Sequence, residues 1–117
     1  MIVVASILSL LPSVLAVADD LRSAPPELAC RQELLLLEVW RVQNVVRAWD
    51  YQHERRGSLN VYSYGWLKIH ANQQRAIALA AFCPIAVRFG AGELTVKSGD
   101  EIMGSVINGV WHSRLAP

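Results

Sequence analysis

Between Glu27 and about Asp50 the chain holds neither Gly nor Pro, and Leu35, Val39, Val42, Val46 and Trp49 recur at steps of four and three, flanked by Leu34, Leu37, Trp40 and Val45. Steps of three and four collect side chains on one side of a helix, here as a wide apolar face. The pattern predicts a long N-terminal helix from Glu27 to Asp50, entered through Pro25-Pro26, whose second proline suits a first helical turn. Glu27 with Arg31, and Glu38 with Arg41, fall at helical spacings where opposite charges add a few tenths of a kcal/mol. So wide a face needs a cover. Either the domain's own sheet supplies it, or a second copy or another protein's groove does, because the same spacing builds coiled-coil seams.

After Asp50 the pattern changes. Tyr51 to Asn60 is polar, contains Gly57, and reads as a connecting loop. From Val61 to Ala71, Leu67, Ile69 and Ala71 alternate with Trp66, Lys68 and His70, the period of two that marks a half-buried strand. Asn72 is a good N-cap for a second, shorter helix from Gln73 to Phe82, which Pro84 halts at Cys83. Beyond it everything reads as strand. Ile85, Val87 and Phe89 alternate with Ala86 and Arg88, Gly90-Ala91-Gly92 turns the chain, and Leu94 and Val96 alternate with Thr95 and Lys97. Ser98-Gly99-Asp100 makes the next turn, and Asn108-Gly109 joins Ile102–Ile107 to Val110-Trp111-His112, the strongest short hairpin signal because both residues accept positive φ. The expected fold is α+β: a long and a shorter helix on one face of a mainly antiparallel sheet of four or five strands, closing in a β-meander.

Charge divides the chain more sharply. All 11 basic and 10 acidic residues lie between Asp19 and Arg114, while Ile2 to Leu15 is apolar apart from three serines and Pro12. Ala16-Val17-Ala18 supplies the small-x-small pattern read by signal peptidase, so residues 1–18 are expected to be a cleaved export signal and 19–117 a single small domain. Eighteen helical residues span only about 27 Å and Pro12 interrupts them, which makes a poor membrane anchor. Contact with a membrane is expected only if that segment is retained. The expected location is periplasmic or secreted.

Export gives the two cysteines a meaning. In an oxidising compartment Cys30 and Cys83, both in apolar surroundings, are expected to pair and staple the two helices together over the sheet. On chain-entropy grounds, closing the chain from residue 30 to residue 83 is worth about 4 kcal/mol. No C-x-x-C pair and no adjacent His supports a reactive thiol.

The remaining chemistry is sparse. His53, His70 and His112 are too scattered for a metal-ligand spacing, and His53-Glu54-Arg55-Arg56 breaks the zincin pattern. No G-x-S-x-G surrounds a serine, and His112 and Ser113 would point to opposite faces of a strand. Phe89-Gly90-Ala91-Gly92 leads from strand to strand rather than into a phosphate-binding helix. A net charge of +1 with interspersed signs and a single basic doublet, Arg55-Arg56, argues against nucleic acid. We therefore expect no cofactor, no metal site and no catalytic set, and a non-enzymatic binding or accessory module. It would engage another protein through an exposed aromatic sheet face bearing Trp66, Lys68, His70 and Trp111, or self-associate through the helix Glu27–Asp50. Two readings compete with it: a small hydrolase using His70 or His112 with Asp100, Glu101 or Ser113, and a membrane-anchored envelope subunit.

Overall fold

The computed structural model describes residues 25–53 and 55–114. The segment read as an export signal, residues 1–18, lies outside them. The described elements run α1 (Pro26–Ala29), α2 (Arg31–Val42), β1 (Val46–Gln52), β2 (Arg56–Val61), α3 (Ser63–Lys68), α4 (Ala71–Phe89), β3 (Glu93–Ser98), β4 (Glu101–Ile107) and β5 (Val110–Ser113). The five strands form one sheet in the order β1-β2-β3-β4-β5, antiparallel throughout except for β2 with β3. Because α3 and α4 carry the chain from β2 to β3, those two strands can lie parallel, as a helical crossover permits. The fold is α+β, with helices packed against a mixed sheet.

The first helix is shorter than the periodicity implied. Asn44 adopts φ 61, its N–H donates to the Arg41 carbonyl, and the Val45 N–H donates back to the Trp40 carbonyl at 3.0 Å. This is the six-to-one and five-to-two closure that ends helices on a left-handed residue, a role asparagine fills without glycine's freedom. The β-branched pair Val45-Val46, both buried, then enters β1, and Trp49 follows it into the sheet. Consequently the stripe splits. Leu37 is buried with Leu34, Leu36 and Trp40 packed beside it, while Leu35, Val39 and Val42 face outward. The Glu38–Arg41 pair forms as its spacing implied, at 2.8 Å on the exposed side.

Three further expectations are corrected. Tyr51 to Asn60 is not a loop but the hairpin of β1 and β2, with Tyr51 opposite Gly57 and Gln52 opposite Arg56. Val61 to Ala71 is not a strand: β2 ends at Val61 and α3 begins at Ser63, so the apparent alternation of Trp66 to Ala71 belongs to a short helix and its exit. The second helix does not stop at Cys83. α4 runs through Pro84 to Phe89, taking in the segment read as the strand Ile85–Phe89, and Gly90 closes a helix, not a hairpin.

Packing explains that last result. Gln74, Ile77, Ala78, Ala81, Phe82 and Ile85 are buried at helical spacing, and Pro84 is itself buried. A proline inside a helix forgoes one backbone hydrogen bond, but a buried stripe that continues to Ile85 outweighs the interruption.

Beyond α4 the sequence signals hold. Ser98 pairs with Glu101 across the Gly99-Asp100 turn, and Ile107 pairs with Val110 across Asn108-Gly109, whose φ values are 50 and 85. Register places Trp49, Leu59, Val96, Gly104 and Ser113 in one row and Tyr51, Gly57, Leu94, Val106 and Trp111 in the next, both on the helix-covered face. The opposite face carries a polar row: Asp50, Ser58, Thr95, Ser105 and His112.

Cys30, at the junction of α1 and α2, is bonded to Cys83 in the middle of α4, with the two Cα atoms 5.9 Å apart. The bridge pairs the cysteines read from the sequence and clamps the first two helices onto the fourth. Structural disulfides persist outside reducing compartments, so the bond implies a non-cytoplasmic location. Among the described residues no helix is long and apolar enough to cross a membrane.

Candidate functional site

The residues singled out from sequence do not share a surface. Trp66 is fully buried beneath α3, with its ring 6.2 Å from that of Trp111 in an edge-on arrangement. Gln74 secures it from α4, its Nε2 donating to the Trp66 carbonyl at 2.8 Å. Trp111 lies partly buried over Gly104, where a Cβ would collide with its six-membered ring. Lys68 projects from α3 and places its ammonium 4.1 Å from the centre of the Tyr64 ring. His70 caps α4, and the Gln73 side chain accepts its backbone N–H at 2.9 Å. An exposed aromatic sheet face of Trp66, Lys68, His70 and Trp111 is therefore not what the fold builds: both tryptophans join the core, Lys68 sits on α3, and His70 lies between α3 and α4.

Nor does the fold assemble the hydrolase sets. His112 stands level with Ser105, whereas Glu101 begins β4, four residues or about 13 Å away along the strand. Ser113 opposes Gly104 and faces the other side of the sheet from His112. Among the described residues neither His70 nor His112 is hydrogen-bonded to Asp100 or Glu101, and no three His, Cys, Asp or Glu residues cluster as metal ligands. Asp100 and Glu101 line a shallow hollow of about 400 Å³ with Ile102 and Arg114.

A larger concavity lies elsewhere. A cleft of about 560 Å³ opens where the β1–β2 hairpin meets α1, α2 and the C-terminal half of α4. Trp49 and Tyr51 come from β1, Leu34 from α2, and Pro84, Ile85 and Phe89 from α4; Glu27, His53, Arg56 and Arg88 add charge and polarity. Its volume falls in the range of small-molecule sites, which are mostly apolar and aromatic with a few placed polar groups. The disulfide fixes the separation of two walls, since it joins the start of α2 to α4 one residue before Pro84.

Tyr51 is the fixed point. Its hydroxyl donates to the Ala81 carbonyl at 2.7 Å, tying β1 to α4. Although the residue is partly exposed, desolvation of its part-buried hydroxyl holds the phenol well above its ordinary range, and the neighbouring Asp50 carboxylate adds to the shift. The ring is therefore neutral at any physiological pH and serves as an apolar wall with its one donor already used. Arg56 and Arg88 differ: among the described residues neither makes an ion pair. Sequence reasoning missed this site because it placed Trp49 in a helix, Tyr51 and Arg56 in a loop and Phe89 in a strand. Only the folded order brings them together.

Comparison with protein families, curated proteins and solved structures finds no match to this chain. Functional inference therefore rests on geometry.

Proposed function

We propose that the protein is an exported, non-enzymatic binding module that acts through the apolar face of α1 and α2, and that the occupant of this face is the same face of a second copy. One observation carries the reading: Leu28, Leu35, Val39 and Val42 are exposed by 54, 55, 56 and 70 %, although all are aliphatic. Leu35, Val39 and Val42 step by four and three along α2, the spacing with which one helix fits another like itself, and Leu28 precedes them on α1. Arg31, Glu38 and Arg41 border the stripe with both signs of charge, which suits an isologous two-fold contact. Contiguous exposed aliphatics of this kind mark interaction sites. Four side chains bury less than a stable interface requires, so the association is weak, with Kd in the micromolar range or above.

Export is supported by the charge-free apolar N-terminus ending in Ala16-Val17-Ala18 and by the disulfide. Two experiments test the whole reading. Sedimentation equilibrium into the high micromolar range should show a reversible dimer, lost in Val39→Glu with its circular dichroism unchanged; a monomer at every concentration overturns the helix-face contact. The intact mass of protein from its native host should match a chain beginning at Asp19, and a full-length mass overturns export with cleavage.

A further inference from the structure

The cleft between the β1–β2 hairpin and α4 is independent of the helix face just described, and its chemistry points to a different kind of ligand. We infer that it binds a small amphipathic anion, an acyl or aryl body seated against Trp49, Tyr51 and Phe89 with its charged head held by Arg56 and Arg88. The size of the hollow, about 560 Å³, accommodates a single small ligand and not a folded partner. Leu34, Ile85 and Phe89 join the two β1 aromatics to give a mainly apolar lining, in which Ala81 already satisfies the Tyr51 hydroxyl and the Trp49 indole N–H is a further donor. An apolar body would therefore displace water without stranding the Tyr51 hydroxyl.

Charge decides the head. Four polar or ionisable side chains other than Tyr51 and Gln52 line the cleft: Glu27, His53, Arg56 and Arg88. Two guanidinium groups against one carboxylate leave the hollow positive, and among the described residues neither arginine is neutralised by an ion pair. Guanidinium groups bind carboxylate and phosphate in paired, charge-assisted hydrogen bonds, so a forked donor beside an aromatic wall selects an anionic head over a neutral or cationic one. Carboxylate and phosphate share that chemistry, and the experiment separates them.

The probes are octanoate, octyl phosphate, octanol and octylammonium, titrated into the oxidised protein below their micellar concentrations and followed by calorimetry and backbone amide shifts. At least one of the two anions should bind about tenfold more tightly than octanol, with octylammonium weakest and the shifting amides gathered at Trp49, Tyr51, Arg88 and Phe89. Whichever anion binds more tightly identifies the head. Arg56→Gln with Arg88→Gln should bring the favoured anion down to the affinity of octanol while leaving octanol unchanged. Each single variant, at an exposed position, gives the same trend should the double variant lose its circular dichroism signal. Equal binding of octanol and both anions, shifts confined to α2, or no binding by any probe overturns the inference.

Discussion

Tyr51 lies across Gly57. The two residues oppose each other in β1 and β2, and a Cβ on Gly57 would stand 2.9 Å from Cδ1 of the tyrosine ring and 3.2 Å from Cδ1 of Ile85 on α4. An aromatic residue placed over a strand glycine restores the packing that the missing side chain would have supplied. Here the ring cannot slide away freely, because its hydroxyl is held by Ala81. Gly57→Ala should therefore destabilise the fold by about 1–3 kcal/mol, measured by urea unfolding. Combined with Tyr51→Ala, its effect should shrink, since the atom it strikes is gone; strict additivity would contradict the contact.

The same phenol gives a pH dependence. Its pKa is raised in the folded state by burial first and by Asp50 second. A group with a raised folded pKa contributes stability that is fully present below its unfolded pKa, about 10 for tyrosine, and lost as pH climbs from there toward the folded value. Unfolding free energy should therefore fall above about pH 10, and Tyr51→Phe, though less stable at neutral pH by about 1 kcal/mol for the lost hydrogen bond, should show a flatter alkaline limb. Parallel alkaline limbs in the two proteins would refute this assignment.

Trp66 makes a third case. It is fully buried, meets Trp111 edge-on, and its indole nitrogen has no hydrogen-bond partner among the described residues. What it contributes is packing alone, so Trp66→Ala should cost about 3–5 kcal/mol, with loss of near-ultraviolet circular dichroism from the tryptophan pair. Trp66→Phe should cost much less. It keeps much of the apolar volume and removes a donor that was unsatisfied from the start.

How much of this was readable in advance depended on whether a signal was local. Asn108-Gly109 and Gly99-Asp100 fix turns by the φ values they accept, and the meander β3-β4-β5 follows from them. The Cys30–Cys83 bond was readable because only two cysteines exist to pair. Periodicity failed where a segment satisfied two periods at once. Val46 and Trp49 continue a helical spacing from Val42, yet Asn44 closes the helix and the two residues enter an edge strand whose other positions are exposed and so show no alternation. Ile85, Val87 and Phe89 alternate like a strand, yet a helix buried over much of its circumference also presents apolar residues at every spacing. Trp66 and Trp111 were recognised as notable, but aromatic identity does not say which side of an element is covered. The cleft could not be read because its walls come from five elements, the two strands assigned to the wrong type and the three helices to the wrong extent.

The disulfide joins stability to both proposed surfaces. Cys30 separates α1 from α2, and besides its bond to Cys83 these helices are seated on the core through Leu37 and the partly buried Leu34, Leu36 and Trp40. α1 spans only Pro26–Ala29, too short to persist as an isolated helix. The oxidised form should therefore exceed the Cys30→Ser, Cys83→Ser double variant by about 2–5 kcal/mol in urea unfolding. Amide exchange should rise most in α1 and the first turn of α2, less in α4, and not at all in the β3-β4-β5 meander, which the bridge does not touch. Because Glu27 and Leu34 line the cleft and Leu28 belongs to the outer stripe, the double variant should also weaken octanoate binding and dimerisation while the sheet remains folded. Equal unfolding midpoints for the two forms would show that the helices are seated by packing alone and that the bridge stabilises nothing beyond them.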